Sequence, residues 1–381
     1  MGTGHAVPIP AWLNKQFPNI KIADFTAIAR ALSILSDRMH YSNLIIPAIY
    51  ILLSLAFSSA AQTVVSAKPF ITAANSKFGG GIEGTAVDQA GNVFAVDFGK
   101  KIEAIGQLSL TQKLFFAEAN NKTFFNAVRF VPVPNGKNIK SAALAGDVLG
   151  HRVLKLVVRV NKKTKKTKVS SSVFCENKQF LQPNDLAIAA KSGFVYLSGQ
   201  NFTTDTKIGD GDLWLCTANG KTTRLGQFGR TNGIEVSPDE RTLYLSEAFN
   251  VNGTVVSNKI LKFDIDRATG HVRNKQIFAD FKKIDGTQAI DIDGMRTDKD
   301  GNLFVTRNGG GQVVKFSPTG KVLLKIKLSN KSVSNLEFGG KDGKTLFMVG
   351  ACDADATKGC VDTFRNNPVE GRAFALLNKQ L

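Results

Sequence analysis

One unit of sequence recurs through this chain and leaves little freedom in how it folds. Its clearest copy runs from Ile292 to Thr306: an Asp-Gly pair (Asp293-Gly294), a short apolar step, a second turn at Asp300-Gly301, then the alternating run Asn302-Leu303-Phe304-Val305-Thr306. Asp-Gly between such runs signals a hairpin, because a tight turn needs positive φ and glycine supplies it. The same order appears at Glu83-Gly84 before Gly91-Asn92, at Asn184-Asp185 before Ser192-Gly193, and at Asn232-Gly233 before Pro238-Asp239-Glu240. Each copy places a polar side chain several residues before its turn.

Turn landmarks fall at Gly91, Gly136, Gly193, Glu240, Gly301 and Gly343. They lie roughly 40 to 60 residues apart, the scale of a propeller blade. Within a unit a second hairpin follows the first: Asn258–Asp264 turns at Thr269-Gly270, and Gln312–Phe316 turns at Pro318-Thr319-Gly320. Six such units predict an all-β, six-bladed β-propeller over residues 62–381, each blade too small to bury its faces alone. The unit around Asn126 to Val160 matches the pattern least. A β-sandwich is the fallback and explains the long period less well.

Residues 1–61 read as a leader. The apolar run 44–57, followed by Ser58-Ser59-Ala60-Ala61, has the form of a secretory core and cleavage site near Ala61. A start at Met39 would give a leader of ordinary length. The competing reading is a signal anchor, with Arg30 and Arg38 on the retained side. The expected location is therefore secreted, with a single-pass membrane anchor as the alternative. Sequons at Asn121, Asn201, Asn252 and Asn330 and an even count of four cysteines suit that compartment. Four cysteines permit two disulfides in three pairings, and Cys352 and Cys360 flank a loop short enough to close. No C-x-x-C occurs, which argues against a structural zinc site.

The net charge of +18 is concentrated in part at Lys162 to Lys168. Such a block attracts polyanions such as acidic polysaccharide, or simply guards a solvated hairpin edge. No helix-turn-helix, finger or aromatic RNA-binding pattern accompanies it, so no specific nucleic acid is expected. Oligomeric state is left open.

In a propeller the innermost strand of every blade lines the central channel. Counting back from each turn places Glu83, Asn184, Asn232, Asp293 and Asn335 at one register, with Asn126 from the weaker unit. Two bare carboxylates brought together repel, and one must bind a proton unless a cation joins them. Oxygen donors without His or Cys favour Ca2+, with Mg2+, Mn2+ or Zn2+ as alternatives. Each Asn-Gly or Asp-Gly taken alone is an ordinary turn element. Glu83, in a small and apolar stretch, is the least turn-like of them. Gly309-Gly310-Gly311 imitates a phosphate cradle, but no helix follows it. Neither a G-x-S-x-G elbow nor a Walker loop is present, and His151 and His271 sit in turn contexts unsuited to a triad.

At these residues the chain resembles the regucalcin and gluconolactonase family of six-bladed propellers. Glu83-Gly84, Pro183-Asn184-Asp185, Thr231-Asn232-Gly233, Asp293-Gly294-Met295 with Asp300-Gly301-Asn302, Asn308-Gly309-Gly310 and Leu336-Glu337-Phe338-Gly339-Gly340 carry the resemblance, which covers about residues 78–355. It implies that Glu83, Asn232 and Asp293 bind one catalytic divalent cation. It also implies that Asn184 contacts water or substrate, and that the substrate is a lactone or, in some relatives, an organophosphate ester. Some relatives hold substrate with an arginine two residues before the Asn184 position; this chain has Gln182 there. Asp293 and Asn184 are thus the expected catalytic residues, and Asn184, Gln182 and Asn335 the expected substrate-binding ones. The rival expectations are a non-catalytic, calcium-stabilised binding propeller and a metal-free enzyme like the strictosidine synthases.

Overall fold

The structure, a computed structural model, describes residues 63–381 apart from 120–121, 134–137, 202 and 204. The leader, the Asn121 sequon and the Gly136 turn lie outside the described residues.

Six sheets follow one another along the chain, five antiparallel ones of four strands and one of five whose outermost strand is parallel. The expected six-bladed propeller is the observed fold. The innermost strands of blades 1 to 6 are Ala86–Val87, Phe125–Val131, Gln182–Ala189, Thr231–Val236, Ile292–Thr297 and Asn335–Gly339. Consecutive hairpins carry each blade outward. The anticipated turn glycines do their work: Gly91, Gly193, Gly301 and Gly343 all have positive φ, and Glu240 takes the same left-handed conformation at φ 57°. The weakly patterned second unit is a complete blade, with Ile139–Asp147, Arg152–Val160 and Thr167–Glu176 outside its inner strand.

The ring closes by pairing sequence-distant strands. Lys68–Ile71 becomes the outermost strand of blade 6, antiparallel to Gly359–Phe364. Val64–Ser66 adds a fifth, parallel strand to blade 5 against Val322–Lys327. Apolar side chains such as Phe94 with Phe130 and Phe304 with Phe338 fill the spaces between neighbouring blades. Of the three pairings open to the cysteines, the structure has Cys175–Cys216, joining blade 2 to blade 3, and Cys352–Cys360 within blade 6. The only described helices are short, Phe281–Asp285 and Arg372–Leu377.

Candidate active site

The channel residues owe their placement to a recurring defect in the innermost strands. In blade 3 the register jumps between Pro183 and Asp185, leaving Asn184 without a partner on the next strand. Blade 2 does the same at Asn126, between Phe125 and Ala127. Blade 4 shifts between Thr231 and Ile234, around Asn232, and blade 5 between Ile292 and Met295, around Asp293. A bulge of this kind bends the strand and re-aims a side chain. A hydroxyl on the second strand satisfies the disturbed backbone in three blades. Ser198 Oγ accepts from Asp185 N at 3.1 Å, Ser246 Oγ accepts from Asn232 N at 3.0 Å, and Thr306 Oγ1 donates to Gly294 O at 3.0 Å.

Contacts between neighbouring blades gather the expected residues into a ring. Asn335 Nδ2 donates to Glu83 Oε2 at 2.8 Å, and Asn126 Nδ2 donates to the Asn184 carbonyl at 3.1 Å. Gly294 N donates to Ser334 O at 2.8 Å, and Thr231 Oγ1 donates to Asp212 O of blade 3 at 3.2 Å. Glycine permits the close approaches. A Cβ on Gly233 would stand 2.1 Å from the Asp293 carbonyl oxygen, and one on Gly294 would stand 2.6 Å from the Asn335 side chain.

Electrostatics single out the two carboxylates. Burial pushes the Glu83 carboxyl from 4.5 to about 7, against the hydrogen bonds it accepts from Asn335 and Gly84. Burial also holds Asp293 well above its usual 3.8, and the Glu83 charge adds to the rise. Asn308 Nδ2 donates to Asp293 Oδ2 at 2.8 Å, while Asp293 Oδ1 is buried with no partner among the described residues. An orphaned buried carboxylate oxygen beside a second carboxylate is a costly arrangement unless a proton or cation completes it. The donors are oxygens of two carboxylates and several amides, which suits a hard divalent cation. The described residues contain no group of three or more His, Cys, Asp or Glu side chains arranged for a metal.

The other expected residues fall in distinct surroundings. Asn232 is half-buried, and neither its side chain nor that of buried Asn184 has a hydrogen bond among the described residues. Asn335 is 2% exposed and fully engaged: Oδ1 accepts from Thr85 Oγ1, Arg296 Nη2 and Leu336 N, while Nδ2 serves Glu83. Gln182 lines an open cavity of about 490 Å3 with Val148, Leu149, His151 and Gln200. The Gly309–Gly311 amides donate to the carbonyls of Lys331 and Arg307, so none is left for a phosphate.

Sequence reasoning missed the buried ion network in the channel. Arg129 of blade 2 pairs with Asp185 of blade 3 at 2.6 Å. Arg296 of blade 5 reaches Glu337 of blade 6 at 3.2 Å, Asp185 at 3.5 Å and the Thr85 carbonyl of blade 1 at 3.0 Å. Arg372, from the C-terminal helix, pairs with Glu235 of blade 4 at 3.4 Å. A signal for it existed. In three of the four bulged blades the charge stands three residues after the site residue (Asn126 and Arg129, Asn232 and Glu235, Asp293 and Arg296), whereas in blade 3 it follows at once, as Asp185 after Asn184. In blade 6, which has no bulge, it stands two after (Asn335 and Glu337). The extra residue shifts the strand alternation by one, so the third position returns to the channel side.

Comparison with known proteins agrees with this architecture. Residues 126–351, more than half of the chain, match the family described as the SMP-30/gluconolactonase/LRE-like region. The chain belongs to this family. A gluconolactonase of Zymomonas mobilis is 33% identical over 186 residues, 45% of this chain and 49% of that protein. A Xenopus laevis regucalcin is 31% identical over 124 residues, 32% of this chain and 38% of that protein. The chain thus spans less than half the length of these curated relatives. A calcium-binding regucalcin from Agrobacterium tumefaciens superposes with a TM-score of 0.59 at 17% identity, covering 81% of this chain and 96% of that one. The SMP-30 family match begins at Asn126, so Glu83 and the rest of blade 1 lie outside it; the bond from Asn335 is what ties Glu83 to the matched region.

Proposed function

We propose that this chain is a secreted hydrolase that opens a small lactone, sugar-type or otherwise, with the help of one divalent cation. The observation that carries the reading is Oδ1 of Asp293, buried beside Glu83 in a ring of amides with no partner among the described residues. Family membership and the gluconolactonase relative support the reaction class, and the calcium-binding regucalcin supports the choice of cation.

Glu83, Asn232 and Asp293 would hold the ion, Ca2+ before Mg2+, Mn2+ or Zn2+ because every donor is an oxygen. When bound, such an ion supplies a Lewis acid for the lactone carbonyl and for the oxyanion that develops on it. The remaining work falls to the chain. Asn308 holds Oδ2 of Asp293, leaving Oδ1 to take the proton of the attacking water. The Asn184 amide, without a partner among the described residues, orients water or the ring oxygen. Asn335 fixes Glu83, and Arg296 fixes Asn335. Gln182 would meet the outer part of the substrate from its cavity. Secretion is supported by the apolar run 44–57 and by two disulfides, which persist in oxidising compartments.

The test is hydrolysis of a panel of small lactones, read by acid release, with and without EDTA. Activity that disappears with chelator and returns with Ca2+ is expected. Turnover indifferent to chelator would refute the cation's role, and inertness toward the whole panel would refute the reaction class.

A further inference from the structure

Between residues 148 and 175 the sequence holds eight Lys and Arg and no Asp or Glu. The structure shows where they stand. Lys155 and Arg159 lie on the third strand of blade 2, Lys168 on its outermost strand, and Lys162, Lys163, Lys165 and Lys166 form the tip between them. All seven are exposed and none has an ion pair among the described residues; the eighth, Arg152, pairs with Asp147. Arg159 and Lys168 are direct cross-strand partners. Like charges placed opposite one another in a sheet destabilise it, and a bound anion relieves the repulsion. The tip itself is built, with the Asn161 carboxamide oxygen accepting from Lys163 N and Thr164 N at 3.0 Å each.

We propose that this outer hairpin of blade 2 is a docking surface for a linear acidic polysaccharide. The outermost strand has ten residues, about 33 Å at strand rise, enough to lie along several sugars of an extended chain, with the cations gathered toward the tip of the hairpin and Glu176 at its far end. Beside Lys168 the strand exposes the hydroxyls of Thr167, Ser170, Ser171 and Ser172. That pairing of charge and hydroxyl suits a ligand that carries both carboxylate or sulfate and hydroxyl. The hairpin exposes no aromatic ring on which a base could stack, and stacking is a main element of single-strand nucleic-acid binding. It exposes Val173 alone among large apolar residues, too little to anchor in a bilayer. The surface lies on the rim of the propeller, so a tethered polymer leaves the channel open.

The test compares two variants of equal net charge, each four charges below the wild-type +18. One replaces Lys162, Lys163, Lys165 and Lys166 by serine; the control replaces Lys282, Lys283, Lys321 and Lys341, exposed residues of other blades. The full chain is passed over immobilised polygalacturonate and immobilised heparin in a salt gradient, with circular dichroism checking the fold of both variants. The hairpin variant is expected to elute about 0.2 M NaCl earlier than wild type on at least one of the two matrices, with the control close to wild type, since each lost phosphate-like contact reduces the salt dependence of binding. Which matrix responds distinguishes a carboxylated from a sulfated partner. Equal losses in both variants would reduce the effect to bulk charge and overturn the proposal. So would a hairpin variant that aggregates while keeping wild-type retention, since the lysines would then only guard the strand edge. Tighter retention on DNA or on phosphatidylserine vesicles than on either polysaccharide would overturn the choice of partner.

Discussion

Asn308 Nδ2 donates to Asp293 Oδ2 at 2.8 Å, and the other oxygen of that carboxylate has no partner among the described residues. Asn308 follows the second strand of blade 5, so one hairpin of the blade supplies both the carboxylate and the amide that orients it. Replacing Asn308 by alanine should leave Asp293 free to rotate and weaken cation binding by about 10- to 100-fold, the usual cost of losing a group that orients a ligand. Calorimetric titration of Ca2+ into the chelator-stripped variant measures it. Unchanged affinity would show that Asn308 plays no part in holding the site.

Asn335 occupies the matching place beside Glu83, but it also receives Arg296 and Thr85. Asn335→Leu removes all of these at once and leaves a buried guanidinium and a buried carboxylate short of partners. A stability loss of about 2–4 kcal/mol is expected, read from the midpoint of denaturant unfolding. A substrate-binding role alone would instead raise KM and leave the midpoint where it is.

How much of this was legible in the sequence depended on the range of the interaction that fixed each feature. The turns at Gly91, Gly193, Gly301 and Gly343 were readable because φ is a local property, and the blade count followed from their spacing. The ring of Glu83, Asn184, Asn232, Asp293 and Asn335 was readable as a register, but the bulges that aim four of the inner strands were not. A bulge is a relation between two strands, and its sequence trace, the next charge moving from two residues on to three, is present in only three of the four, since blade 3 has Asp185 directly after Asn184. The closing strand Lys68–Ile71 pairs with residues nearly 300 positions away, and nothing local announces it. The Arg129–Asp185–Arg296–Glu337 network was hidden for the same reason: each member satisfies a charge on another blade.

The shifted carboxylates make stability depend on pH in a direction opposite to ordinary acid denaturation. Glu83 rises from 4.5 to about 7 through burial, and Asp293 also moves upward. A carboxyl with a raised folded-state pKa favours the folded state when protonated. Its contribution is fully present below 4.5 and is lost as the pH rises through about 7. In EDTA the melting temperature should therefore fall between pH 5 and pH 8 on account of this pair. Ca2+ should flatten that slope and stabilise the protein more at pH 8 than at pH 5. Thermal unfolding by fluorescence at both pH values, with and without Ca2+, checks this. The same Ca2+ effect at both would mean that the ion binds away from the pair.

The two disulfides should not be equivalent. Cys175–Cys216 spans 41 residues and joins two blades, whereas Cys352–Cys360 spans 8 within one. On loop-closure entropy the longer link should stabilise more by about 1–1.5 kcal/mol. Comparing the unfolding midpoints of the Cys175→Ser/Cys216→Ser and Cys352→Ser/Cys360→Ser double variants measures the difference. A larger loss from the second pair would mean that local strain or packing, not chain entropy, sets their worth.

Asp293 carries the central claim, as a ligand of the cation and as the acceptor of the water proton. The most direct test is the rate of lactone hydrolysis by chelator-stripped wild type and Asp293→Asn as Ca2+ is added to saturation. Wild type should be inert when stripped and recover fully, while the variant should stay low even after calorimetry shows its site filled. Recovery of the variant in excess Ca2+ would make Asp293 a ligand alone. Full activity of the stripped wild type would contradict a cation-dependent centre at Glu83 and Asp293.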